Sequence, residues 1–351
     1  MIAGPGAAQT RKPVNVYIWN DYLGETTVGD FTRASGFATN IDLYDSLELL
    51  EQKVMAGKSG YDVIVPTAEP TLSRLIAAKI LTPLDKSRIP NIKGLDPAVL
   101  KLLENSDPGN KYAVPYLGGT VGIGVLPDKI KAVAPGVALD SWDLIFKPEV
   151  AAKVAPCGIT ILDSPIDVVP SVLNYLGLDP NSEKKEDLEK VEKALTAIRP
   201  YVKQFTTGQN LNNLAGGDAC VVMSYNGDVI QAQARAKEAN NGIDVQFINP
   251  KEGVQVWWDT LAVLADAPNK DGAYAFIDFV LDPANMAGIT NFVKYANAVP
   301  AARDRVEEGV KNNPAVALPD ASKVRLFALK PVKAATDRAR TRMWTKVKTG
   351  K

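Results

Sequence analysis

The chain has 351 residues, 46% hydrophobic and 23% charged, with 40 basic side chains balanced by 40 acidic ones. That length and composition suit a globular protein of about two domains, and zero formal net charge argues against a nucleic-acid partner, which would require a strongly basic surface. There is no histidine, which excludes imidazole bases, Ser-His-Asp and Cys-His catalysis and His-rich zinc sites, and no apolar run approaches the ~18 residues of a membrane span.

Within residues 1–12 the stretch IAGPGAAQ is small and slightly apolar, like the remnant of an export signal. A strand is predicted over NVYIW (15–19), a helix over TTVGDFTRASG closing on Gly36, and a strand over TNIDLYD. The next helix starts at Asp45, with Asp45 and Glu48 as a capping-box pair and Leu47, Leu50, Val54 and Met55 as its apolar stripe. YDVIVP (61–66) is a short buried strand and LSRLIAAKI a helix, so the first hundred residues alternate as βαβ units do around a mostly parallel sheet.

A second alternating set follows. ITILD (159–163) is a strand, VVPSVLNYLG is helical, and Glu186 to Arg199 forms an exposed amphipathic helix. ACVVMS (219–224) is a strand running through NGD into the helix VIQAQARAKE; VQFI (245–248) and WWDTLAVLA (257–265) are extended, and the final eighty residues are helical. Chain crossings are expected near AVPYLGGTVGIG and NPKEGVQVWWD, with no long linker. The expected organisation is therefore two α/β lobes facing each other across a cleft. One comprises 13–117 plus about 251–305, the other about 118–250 plus 306–351.

Several motifs carry little. AGKSG (56–60) ends like a phosphate loop, but Gln52 stands where the first glycine is required, and a helix C-cap on Gly57 explains it better. GGTVGIG (118–124) lacks dinucleotide spacing and reads as a turn and a strand. The basic tail RARTRMWTKVKTGK reads as a solvated terminal helix. Cys157 and Cys220 are too few for a metal site; both flank predicted strands, which leaves two buried thiols or a disulfide open.

One pattern recurs at strand ends: an aromatic within three residues of an acid. It occurs as Trp19, Asp21 and Tyr22, as Tyr225 and Asp228, and as Trp257, Trp258 and Asp259, while Asp163 and Asp167 mark another strand-to-helix turn. Each alone is ordinary turn chemistry. Parallel strands, however, direct their carboxyl ends to a common crevice. Aromatic faces attract ammonium groups and cover methylenes, and carboxylates accept charge-assisted hydrogen bonds. The lining suits an aliphatic chain with amines at both ends.

IWNDY, YDVIVPTAE, LDSPIDVVPSVLNYLGLDPNS, GDACVVMSYNGDVIQA, VWWD and YANA occur in order over nearly the whole chain. Together they resemble the periplasmic polyamine-binding proteins of ABC importers, the putrescine and spermidine receptors. The resemblance implies a type II periplasmic-binding-protein fold, each lobe a mixed, mostly parallel sheet flanked by helices, with a two-crossover hinge. It implies an exported, periplasmic, monomeric receptor, without cofactor, metal or membrane insertion, that hands a polyamine to an inner-membrane permease. Carried over by position, Trp19, Tyr22, Tyr225, Trp257 and Tyr295 are aromatic walls, Asp21, Asp167, Asp228 and Asp259 are acids of the site, and Thr67 is a small hydroxyl residue beside them. Cys157 and Cys220 match a disulfide pair.

Asp167 stands where the family usually has Glu and Tyr225 where it usually has Trp, and further departures bear on ligand choice. Glu69 adds a carboxylate where Ser or Tyr is common and could meet a third amine, Asn20 replaces Ser or Thr, and Gly118 replaces a bulky Trp, an exchange expected to enlarge or loosen the cleft. Ser164 is uncharged where spermidine-preferring members carry Asp, while Asp228 is retained as in putrescine receptors, so ligand length stays open. The rival readings are the same fold with another amine such as agmatine or with an amino acid, a polyamine sensor, and a carboxylate-pair hydrolase.

Overall fold

The computed structural model describes residues 11–350. Residues 1–10, most of the expected export remnant, lie outside the described residues, as does Lys351.

The first half of the sheet is parallel. Strand β1 (Val14–Trp19) lies between β2 (Thr39–Tyr44) and β3 (Val63–Ile64), with Val16 opposite both Ile41 and Val63. Val14, Val16, Tyr17 and Ile18 are all buried, as a parallel strand covered on both faces requires. The second half is built likewise from β5 (Ile159–Ile161) between β6 (Gln204–Phe205) and β7 (Val221–Tyr225), again parallel.

Two long strands join the halves. Strand β4 (Ala113–Val125) pairs antiparallel with β9 (Val254–Val263) through Ala113–Val121, then with β7 and β8 (Gln246–Ile248) through Val121–Val125. At its other end β9 pairs with β3. The strand order is β2-β1-β3-β9-β4-β7-β5-β6, with the short β10 (Ala296–Asn297) on β4 and β11 (Leu326–Phe327) on β9. The two expected crossings are thus strands of the sheet itself. GGTVGIG is continuous strand without a turn; its ladder shifts register between Pro115 and Gly118, where proline has no N–H to donate.

Other expectations need local correction. The helix after β2 runs Leu47–Met55 and is capped by Ser46, whose Oγ accepts from the Leu49 N–H, instead of by Asp45 with Glu48. Gly57 stands one residue past its C-cap, with φ 72 and its N–H on the Val54 carbonyl. In YDVIVP only Val63 and Ile64 join the ladder; Pro66 has no N–H, and its carbonyl accepts from Thr260 instead. LSRLIAAKI opens in a wide turn over Ala68–Leu72 and is helical only at Ser73–Ala77. The helix Lys185–Ile198 buries Val191, Leu195 and Ile198 and exposes its other side.

The last eighty residues are only partly helical. Helices Lys270–Val280, Pro283–Val293 and Ala334–Thr349 are separated by a largely irregular stretch that contains β11. The terminal helix is solvated on one face only: Arg340, Met343, Trp344 and Val347 are buried.

Cys157 and Cys220 form a disulfide, with Cα atoms 5.5 Å apart and a sequence separation of 63. The bridge ties the turn before β5 to the residue before β7, and the Cys220 N–H also donates to the Cys157 carbonyl. Closing a loop of that length is worth about 2–4 kcal/mol through the unfolded chain. A Cys157→Ala/Cys220→Ala variant is expected to unfold at lower denaturant concentration than the oxidised protein. Coincident urea curves would show that the bridge adds nothing.

Candidate functional site

The carboxyl ends of β1, β2 and β3 in one half meet those of β5 and β7 in the other across a cavity of about 800 Å³, counted to its open mouth. Twelve residues singled out in the sequence line it: Trp19, Asn20, Asp21, Tyr22, Thr67, Glu69, Asp167, Tyr225, Asp228, Trp257, Asp259 and Tyr295. The elements explain the convergence. Trp19 ends β1, Tyr225 ends β7, Asp167 and Asp228 sit in the first turns of helices Pro165–Tyr175 and Asn226–Glu238, and Trp257 and Asp259 share one face of β9.

Asp167 is buried and held by three neutral donors. Ser164 Oγ donates to Oδ2 at 2.6 Å, Tyr225 OH to Oδ2 at 2.8 Å, and Gln255 Nε2 to Oδ1 at 2.7 Å. Ser164 stands at the helix N-cap but makes no side-chain cap, its hydroxyl being spent on Asp167. Desolvation still raises the Asp167 pKa against those three bonds.

Asp259 accepts from Thr67 Oγ1, and the two residues face each other in an antiparallel bridge. Burial pushes its pKa up to about 7, with nearby Asp167 raising it further and Thr67, Tyr22 and Trp19 opposing. The Tyr22 hydroxyl and the Trp19 indole N–H close no hydrogen bond of good geometry in the protein. Asp228 accepts from Tyr295 OH at 2.6 Å while its N–H donates back to that oxygen at 3.2 Å. Desolvation lifts Asp228 to about 6, opposed by Tyr295; the Asp21 charge adds to the rise and Arg235 works against it.

The aromatic walls are mutually braced. Tyr295 lies edge-on to Trp257 at 5.3 Å and to Tyr22 at 5.6 Å, Tyr225 meets Trp257 at 5.6 Å, and Trp19 leans on Tyr44 at 4.5 Å. Gly227 makes room for this: a Cβ there would stand 2.4 Å from the Tyr295 ring. Asp21 has φ 51, accepts from Asn20 Nδ2, and reaches Arg235 of the opposite half at 3.4 Å.

Among the described residues, six carboxylates therefore line the cavity (Asp21, Asp45, Glu69, Asp167, Asp228 and Asp259), and no lysine or arginine does. The arrangement can accept hydrogen bonds from cations and cover apolar chain between them. No group of three or more potential metal ligands that could hold an ion was found among the described residues.

Three sequence expectations do not reach the cavity. Asp163 turns away to the C-terminal helix, accepting from Trp344 Nε1 at 2.9 Å and pairing with Lys348. Trp258 points to the other face of β9. It lies over Gly118, its ring atoms 2.6–2.8 Å from where a Cβ would stand. Gly118 consequently does not enlarge the cleft, because Trp258 fills the space. The sequence reading missed Tyr44, Asp45, Ile166, Gln255 and Leu329 among the lining residues. Gln255 was accessible to it: Gln255, Trp257 and Asp259 alternate along one strand face. Tyr44, the last residue of β2, repeats the strand-end aromatic signal.

A family model described as bacterial extracellular solute-binding protein matches residues 27–318. The chain is 46% identical to the putrescine-binding periplasmic protein PotF of Escherichia coli K12, over 98% of this chain and 93% of that one. It is 42% identical to the putrescine-binding periplasmic protein SpuD of Pseudomonas aeruginosa UCBPP-PA14, over 100% and 95%. The TpPotD lipoprotein of Treponema pallidum superposes with a TM-score of 0.79 at 24% identity, covering 96% and 99% of the two chains, and so shares the type II periplasmic-binding fold.

The raised carboxylates make a prediction about the free protein. Asp259 and Asp228 hold protons in the folded state up to about pH 7 and about pH 6, whereas in the unfolded chain they release them near 4. Between those limits the folded form binds more protons, so these groups favour folding as pH falls from 8 toward 5. Urea unfolding of ligand-free protein at pH 8 and 5.5 should show this gain, reduced in Asp259→Asn. An equal pH effect in both proteins would remove Asp259 from that role.

Proposed function

The chain belongs to the bacterial extracellular solute-binding proteins, a family that binds solutes for transport and does not transform them, and from that premise we propose that it captures a linear polyamine between two lobes and delivers it to an ABC permease. The observation that carries the reading is a cavity lined by six carboxylates and no basic side chain. An amino-acid ligand would need a cation for its own carboxylate, and none lines the site. The full-length relatives named for putrescine binding support the same solute class.

On this reading Asp259 and Asp167 anchor amines at different points along the ligand, with Asp228 and Asp21 supporting. Trp257, Trp19, Tyr225, Tyr22 and Tyr295 box the methylenes, each aromatic face adding roughly 0.5–2 kcal/mol toward an ammonium. Residues 13–117 with about 251–305 form one lobe and about 118–250 with 306–351 the other. Only the closed arrangement brings the contacts of both lobes to the ligand, so the ligand stabilises closure. The receptor is monomeric and exported to the periplasm with its signal removed. Among the described residues no helix is long and apolar enough to cross a membrane.

Isothermal titration of amine-stripped protein against putrescine, cadaverine, agmatine, spermidine and spermine tests the proposal: saturable 1:1 binding to at least one is expected, and silence from folded protein overturns it. Asp259→Ala leaves an ammonium buried without its partner, a cost of about 3–5 kcal/mol, and should weaken binding by two or more orders of magnitude. Because the cation requires ionised carboxylates, affinity should rise between pH 5.5 and 7.5 with proton release on binding. A pH-independent affinity would mean that Asp259 and Asp228 do not meet the ligand's charge.

A further inference from the structure

The cavity does not end at the aromatic box. A second cavity adjoins it, apolar for most of its lining, and the two share Thr67, Glu69, Trp257 and Leu329. Glu69 thus stands in the throat between them, two residues beyond Thr67, the residue that bonds Asp259.

The state of the Glu69 carboxylate gives the throat a chemistry. Oε1 accepts from Ser73 Oγ at 2.6 Å, while Oε2 is shielded from solvent and has no hydrogen-bond partner in the protein. The basic side chain that acts on it, Arg74, is committed elsewhere, to Glu51 at 3.2 Å and Asp337 at 2.9 Å, and makes no salt bridge with Glu69. Burial raises the Glu69 pKa although Ser73, Ser106 and the Arg74 charge oppose it. No hydrogen bond of good geometry closes on Oε2, and a desolvated carboxylate oxygen left so is costly unless a cationic donor meets it. Trp257 and Leu329, common to both cavities, supply apolar surface on the way to it.

We propose that Glu69 forms a third cation position and that the site is built for a triamine of spermidine length, whose additional aminopropyl arm passes Trp257 and Leu329 to place its ammonium on Glu69 Oε2. The inference rests on the polyamine reading and specifies the length class of its ligand. One oxygen without a donor suits the single contact of an ammonium; a guanidinium, which prefers two parallel hydrogen bonds to a carboxylate, would have to share Oε1 with Ser73.

The test is titration calorimetry of amine-stripped wild type and Glu69→Gln with putrescine, spermidine and agmatine, with Glu69→Ser as a second variant should the glutamine protein fail to fold. Wild type is expected to bind spermidine more tightly than putrescine, and the ratio of their affinities should fall at least tenfold in the variant. A ratio that stays within threefold, or a selective loss of agmatine instead, overturns the third position while leaving a polyamine receptor intact. Wild type that binds none of the three amines overturns both readings.

Discussion

The constraint on which the site depends is the burial of carboxylates without a counter-ion. Asp167 and Asp259 are buried and Asp228 is half-buried, and their hydrogen-bond partners are neutral hydroxyls and one amide instead of lysine or arginine. Neutral donors hold each carboxylate in one orientation yet offset only part of its desolvation, which is why all three pKa values stand above the ordinary range. A fixed cation would relieve that cost and also occupy the place of a cationic ligand. Electrostatic incompleteness and solute recognition are here the same property.

The scaffold serves that constraint. Parallel strands bring their carboxyl ends to one line in each half, and the two lines face each other, so acids and aromatics scattered from Trp19 to Tyr295 in sequence become one lining. Glycine at 227 lets Tyr295 approach the backbone closely enough to bond Asp228 with both its oxygen and its proton. Substitution there would disturb an acid three bonds of chain away without altering any charge.

Much of this was legible in the sequence, for physical reasons. Strand-end aromatics beside acids, as in IWNDY and SYNGD, are ordinary turn chemistry one at a time, and it is their recurrence at several strand ends that points to a cation lining. What escaped had weaker local signals. Gln255 is a neutral residue whose part comes from reaching Asp167 across 88 positions. Asp163 carries the same local pattern as Asp167 but is drawn off by Trp344 and Lys348, from a helix near the chain's end. Gly118 reads as lost bulk until Trp258, its neighbour across the ladder, is seen to restore it. Such compensation between strands leaves no mark on either segment alone.

Strand β9 has a double part: it is one of the two strands that pass between the halves, and it also bears Gln255, Trp257 and Asp259. A force applied at a pivot has almost no lever arm. Whatever grips Asp259 therefore pulls close to the axis about which two such halves would turn, and exerts little torque on them. Leverage belongs to contacts that reach directly from one half to the other, such as Asp21 on Arg235 and Arg74 on Asp337. On the proposed reading β9 is, in mechanical terms, an anchor for the solute, and the work of drawing the halves together falls to the rim.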